Sequence, residues 1–121
     1  MENITSEEIA WIAGILEGEA CFDYHFNKRM GKNFGKPPLK KYPRIRVEMK
    51  DEDIILRLYK LLGGKLSSKN GKQINHSKTF LIKWFQPKDV KRILTMIRPW
   101  LGKRRGQKVD ELFDIFRKQS L

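Results

Sequence analysis

The stretch WIAGILEGEACF, Trp11 to Phe22, constrains this chain more than any other part of it. Thr5 and Glu8 fit a capping box, which predicts a helix from near Ser6 to about Glu19. On a helical wheel Ile9, Trp11, Ile12, Ile15 and Leu16 fill one broad arc, and Ala10, Ala13, Gly14 and Gly18 the other. A helix apolar all round has to be covered all round. Its glycines need a reason, because each one inside a helix costs about 0.5–1 kcal/mol relative to alanine. Gly14 and Gly18 stand four residues apart, the spacing that lets two helix backbones approach closely. The large arc can sit on the domain's own sheet. The small arc can meet another helix, within the chain or on a second copy of it.

The rest of the pattern is mixed. Residues Ala20 to Arg29 alternate, with Phe22, Tyr24 and Phe26 on one side and Cys21, Asp23, His25, Asn27 and Arg29 on the other. After the basic loop MGKNFGKPPLKK, the segment YPRIRVEMK alternates again, with Arg44, Arg46 and Glu48 on its polar side. DEDIILRLYKLLGG reads as a second helix, acidic at its start and closed by Gly63 and Gly64. KLSSK, the turn signal Asn70-Gly71 and KTFLIKWF form a hairpin. Pro87 opens a third helix through about Ile97, Pro99 ends it, and a fourth runs from roughly Gln107 to Gln119 with Val109, Leu112, Phe113 and Phe116 as its apolar stripe. The order αββαββαα predicts an α+β fold over residues 1–121 as one domain, a four-stranded antiparallel sheet with its helices on one face.

Charge narrows the partner. There are 26 Lys and Arg residues against 14 Asp and Glu, a formal net charge of +12. Self-repulsion on that scale destabilises a compact chain, and a polyanion relieves it. Nucleic acid is the leading candidate and an anionic membrane the second. No apolar run approaches the roughly 20 residues that span a bilayer, and the acidic, polar MENITSEE fits neither a signal peptide nor a transit sequence. The chain reads as soluble and intracellular. The single cysteine, Cys21, excludes an intramolecular disulfide and a cysteine-rich zinc site, and nothing around it provides a base for a thiol nucleophile. His25 and His76 are too few and too far apart for a histidine-metal nuclease.

The acids of the opening stretch are the remaining clue. Glu19 lies at the C-terminal end of its helix, where the macrodipole disfavours a negative charge. An acid placed there beside a basic surface suits a divalent cation, since Mg²⁺ takes carboxylate and phosphate oxygens. At this point IAGILEGEA, Ile12 to Ala20, resembles the nine-residue signature of the LAGLIDADG homing endonucleases, with Glu at both acidic positions. The αββαββα order that follows matches the core fold of that family across nearly the whole chain. Members with one motif pair as homodimers, and this chain has one.

The resemblance implies a role for each matching position. Glu19 maps onto the metal-binding catalytic acid, assisted by the backbone carbonyl of Gly18. Glu17 maps onto the first acid and is read as structural. Ala13, Gly14, Glu17 and Gly18 fall at the dimer interface, and the cofactor is Mg²⁺, with Mn²⁺ or Ca²⁺ able to occupy its site. The family's sheet forms a saddle on the major groove of double-stranded DNA. The outward set here is Asp23, His25, Asn27, Arg29, Arg44, Arg46 and Glu48, joined from the second hairpin by Ser67, Lys69, Thr79 and Lys83. The same alternation also fits a solvated strand face. RPWLGKRRGQK resembles the family's stretch in which a basic residue reaches the active-site solvent. Aligning Pro99 and Gln107 puts Arg104 there, with Lys103 as neighbour, to stabilise phosphate charge or simply to clamp a phosphate. One departure is Met49, where some members carry a glutamine that orders the attacking water; Lys50 or Glu48 are the residues left for that task.

Two functions follow. The first is a homodimeric, site-specific, double-strand DNA endonuclease that cuts a long pseudo-palindromic target with a divalent metal. The second is a non-catalytic nucleic-acid binder on the same scaffold, an intron RNA maturase or a transcription regulator. Neither calls for a membrane or a small-molecule substrate.

Overall fold

The computed structural model describes residues 3–26, 40–70 and 78–119. The chain runs α1 (Ser6–Glu19), β1 (Ala20–Phe26), β2 (Lys41–Met49), α2 (Glu52–Leu62), β3 (Lys65–Lys69), β4 (Thr79–Trp84), α3 (Pro87–Ile97), a 3-10 turn (Arg98–Trp100) and α4 (Lys103–Gln119). This is the predicted α+β order. The expected strand residues Asn27 and Arg29, and the turn residue Gly71, lie outside the described residues.

Local signals set most of the boundaries. The Thr5 hydroxyl accepts from the Glu8 N–H at 3.1 Å, and the Glu8 carboxylate accepts from the Thr5 N–H at 2.9 Å, so the capping box forms as the sequence predicts. At the end of α2, Gly63 takes φ 72° and Gly64 φ 109°. A Cβ on Gly64 would stand 2.6 Å from Trp84 Nε1, so only glycine lets β3 turn this tightly beside the tryptophan. Trp84 Nε1 in turn donates to the Gly63 carbonyl at 3.0 Å.

The four strands form one antiparallel sheet in the order β1-β2-β4-β3. The β3–β4 hairpin folds back so that β4 pairs with β2 and β3 takes the edge. All five residues of β3 are accordingly exposed. One face of the sheet presents Ala20, Phe22, Ile45, Val47, Ile82 and Trp84 to the helices. Against it α1 contributes Ile12, Ala13 and Leu16, α2 Ile55, Leu58 and Leu62, α3 Val90, Ile93, Leu94 and Ile97, and α4 Val109 and Leu112. Each large aliphatic side chain fully buried there contributes about 1.5–3 kcal/mol relative to leaving it in water. Among the described residues no polar or charged residue is buried.

α4 begins four residues before the predicted Gln107. Its first hydrogen bond runs from the Gly106 N–H to the Gly102 carbonyl at 2.8 Å. The Arg98 guanidinium lies over Gly106, where a Cβ would come within 2.7 Å of Nη1, and it pairs with Asp110 at 2.9 Å. At the other end, Gln119 exchanges two 2.8 Å hydrogen bonds with the backbone of Lys41 and ties α4 to the start of β2. Long-range interactions thus hold a helix that Gly106 weakens locally.

Candidate functional site

Strand pairing decides which side chains share the face away from the helices, because residues directly opposite in an antiparallel ladder point the same way. Cys21, Asp23 and His25 pair with Arg46, Arg44 and Tyr42. Arg46 and Glu48 pair with Lys83 and Leu81. Lys83, Leu81 and Thr79 pair with Lys65, Ser67 and Lys69. Every described residue expected on the outward face is on one side of one sheet: Asp23, His25, Arg44, Arg46, Glu48, Ser67, Lys69, Thr79 and Lys83. The register adds Tyr42, Lys65 and Leu81 to them, and it aligns Cys21, Arg46, Lys83 and Lys65 as a row across all four strands.

That row sets three cations side by side at the spacing of neighbouring strands, about 4.7–4.9 Å. Like charges directly opposite destabilise a sheet. The two described acids of the face are already engaged. Asp23 accepts from Arg44 Nε at 2.7 Å and from Arg46 Nη2 at 2.8 Å. Glu48 accepts from the Thr79 hydroxyl at 2.7 Å and pairs with Lys69 at 3.4 Å. Burial pushes the Asp23 carboxyl up, but the hydrogen bonds and charges of Arg44 and Arg46 outweigh it and hold the group below its ordinary value. The Thr79 hydroxyl, with Lys69 behind it, does the same for Glu48. His25 stacks on Tyr42 at 5.5 Å between ring centroids and adds an aromatic surface near the sheet's end.

The end of α1 forms the second part of the site. Glu19 is exposed at the last position of the helix, and the next residue, Ala20, starts β1. Glu17 behaves differently. Its Oε1 accepts from the Gly102 N–H at 2.6 Å, at the N-terminus of α4, where an anion is favoured. Arg105 Nη1 donates to the Ala20 carbonyl, and its guanidinium lies 5.8 Å from the Phe22 ring. Lys103 and Arg104 are both exposed on the first turn of α4. Of these three consecutive cations, Arg105 is the one that touches the junction of α1 and β1. Sequence reasoning did not single out Arg105, because its contact with the Ala20 carbonyl joins residues 85 positions apart.

α1 also corrects the wheel. Ala13, expected on the small-residue face, is buried at 2% exposure with Ile12 and Leu16 in the protomer's own core. It therefore has no surface to give to a partner. Glu17, placed on the same face, turns to Gly102 instead. The side of the helix left uncovered holds Gly14 and Gly18, both exposed, with nothing within 4 Å of where their Cβ atoms would be. Trp11 and Ile15 flank them half-buried, although both were expected among the sheet-facing residues, and Arg57 lies 4.0 Å over the Trp11 ring.

No family model and no curated protein matches the chain. Solved structures do. The homing endonuclease I-CvuI, in complex with its target in the presence of Ca²⁺, superposes with a TM-score of 0.70 at 16% identity, over 93% of this chain and 67% of that one. The homing endonuclease I-TnaI gives 0.69 at 15% identity, over 93% and 74%. The I-SmaMI LAGLIDADG homing endonuclease, bound to cleaved DNA, gives 0.69 at 15% identity over 99% of this chain, which spans only 39% of it. Among the described residues no helix is long and apolar enough to cross a membrane. The chain has the fold of the LAGLIDADG homing endonucleases.

Proposed function

We propose that this chain is a divalent-metal-dependent, site-specific DNA endonuclease that acts as a homodimer. The observation that carries the reading is the position of Glu19. It is an exposed acid at the end of α1, at the point where the chain enters the cationic face of the sheet, on a helix whose Gly14–Gly18 side is uncovered. Two copies crossing at these glycines bring both Glu19 side chains together between two sheet faces, each laid along one half of a duplex.

The donor chemistry fits a hard cation. Among the described residues no group of three His, Cys, Asp or Glu side chains is close enough to share a metal, and Glu17 is committed to Gly102. The ligands that the family resemblance assigns, Glu19 and the Gly18 carbonyl of each protomer, would be completed by phosphate oxygens and water, the set that Mg²⁺, Mn²⁺ or Ca²⁺ accepts. When bound, Mg²⁺ supplies an activated water and neutralises the leaving oxygen.

The protein's own groups do the rest. Arg104 and Lys103 bring positive charge to the scissile phosphate as its charge develops. Arg105 anchors the Ala20 carbonyl and so holds the junction that carries Glu19. The sheet face binds the backbone electrostatically and reads base edges in the major groove.

The test is selection of duplexes from a randomised library in Ca²⁺, followed by cleavage of the selected site in Mg²⁺ by the parent and by Glu19→Gln. Binding is expected to survive in the variant, and cleavage to fall by orders of magnitude. A Glu19→Gln protein that cuts as fast as the parent refutes the assignment of Glu19. A parent that binds a defined site and cuts nothing in Mg²⁺ or Mn²⁺ marks a binder on the same scaffold.

A further inference from the structure

We infer that Asp23 is a positioning residue that presents the outer edge of the Arg44 guanidinium to a guanine; this rests on the DNA reading above. Arg44 Nε donates to Asp23 Oδ1 at 2.7 Å and Nη2 to Oδ2 at 3.4 Å, so the carboxylate grips the Nε side of the planar fork. The adjoining end of the fork keeps Nη1 and the second hydrogen of Nη2, since Nη2 spends only one of its two on Asp23. That end matches the O6 and N7 acceptors of guanine in the major groove.

Arg46 is held in another way. Its Nη2 donates to Asp23 Oδ2 at 2.8 Å and lies 3.5 Å from Cys21 Sγ, while its Nε is buried without a hydrogen-bond partner among the described residues. Asp23 holds Arg46 through that one nitrogen, so no bond through Nε fixes the plane of its fork as Nε and Nη2 together fix that of Arg44. The two arginines that look equivalent in the sequence are therefore held differently, and Arg44 is the one whose fork is oriented in advance.

Asp23 is itself poorly placed to read cytosine. Arg44 and Arg46 already direct three hydrogen bonds at its two oxygens, and the Cys21 thiol lies 3.6 Å from Oδ2. Its contribution is preorganisation. An arginine held in its binding rotamer before DNA arrives loses less side-chain freedom on docking.

The experiment compares base preferences selected from a randomised duplex library in Ca²⁺ by the parent, Asp23→Asn, Arg44→Ala and the double variant. Arg44→Ala is expected to lose one guanine preference in each half-site, by about 10- to 100-fold. Asp23→Asn is expected to weaken that same preference by about three- to tenfold, leave affinity for random duplex undiminished, and change nothing further in the Arg44→Ala background. Should Asp23→Asn misfold, Arg44→Lys decides: it keeps the charge but loses the fork, so it retains the salt dependence and loses the guanine. A parent that selects a site while Asp23→Asn selects the identical one, or shifts a cytosine instead, overturns this assignment alone. A parent that selects no site overturns the DNA reading and this inference with it.

Discussion

Replacing Glu17 by alanine separates the two acids of the opening motif. The Glu17 carboxylate accepts from the Gly102 N–H at 2.6 Å, and the Gly102 carbonyl accepts the first hydrogen bond of α4 at 2.8 Å. The acid therefore stands at the positive end of a 17-residue helix and satisfies a donor just outside it. A charged acceptor bonded to an amide contributes about 1.5–3 kcal/mol where water is excluded, and screening at this exposed position reduces that to about 1–2 kcal/mol. At about 4 °C per kcal/mol for a domain of this size, Glu17→Ala lowers Tm by about 4–8 °C. Glu17→Gln keeps an acceptor and loses roughly half as much. The assay is thermal unfolding of the parent, both Glu17 variants and Glu19→Gln, with cleavage measured well below every Tm. Glu19→Gln is expected to melt like the parent and fail to cut, whereas Glu17→Ala melts early and still cuts in the cold. A Glu17→Ala protein that melts with the parent but has lost cleavage would refute the structural role of Glu17 and hand the chemistry to both acids.

The other predictions concern association, affinity and acid stability. Gly14→Leu meets no atom of its own protomer within 4 Å and favours the helix by about 0.5–1 kcal/mol, so sedimentation of the variant should give a well-folded monomer. A Gly14→Leu dimer as tight as the parent's sinks the interface. Lys83→Ala, from the middle of the cationic row, should weaken binding evenly across sequences and flatten the slope of log K against log salt by about 0.9 for each phosphate it no longer neutralises. A change at one base position instead marks Lys83 as a base reader. The lowered pKa values of Asp23 and Glu48 add stability that is fully present above the unfolded carboxylate values, near pH 4, and drains away as pH falls through the folded ones. Urea unfolding between pH 5 and 2 should show that decline, and Asp23→Asn should shallow it; an unchanged slope removes Asp23 from the account.

How much of this could be read before folding depends on the range of the forces involved. What neighbouring residues decide was legible from the chain alone: the capping box that starts α1, the alternation of β1 and β2, the basic face of the sheet, and the exposed acid at position 19. Period-two alternation places side chains on a face without knowledge of the partner strand, so the described outward set from Asp23 to Lys83 could be named in advance. The transverse row from Cys21 through Arg46 and Lys83 to Lys65 could not, because register comes from pairing, and β4 inserts between its hairpin partner β3 and the distant β2. α1 hid its orientation for a different reason. An apolar periphery leaves the wheel nothing to choose by, and only packing against the sheet sent Ala13 inward and left Gly14 and Gly18 outside. The start of α4 and the contact of Arg105 with the Ala20 carbonyl were likewise decided late. Glycines at 102 and 106 weaken the local helix signal, and Glu17, Arg98 and the Ala20 carbonyl meet that segment only after the chain has folded back on itself.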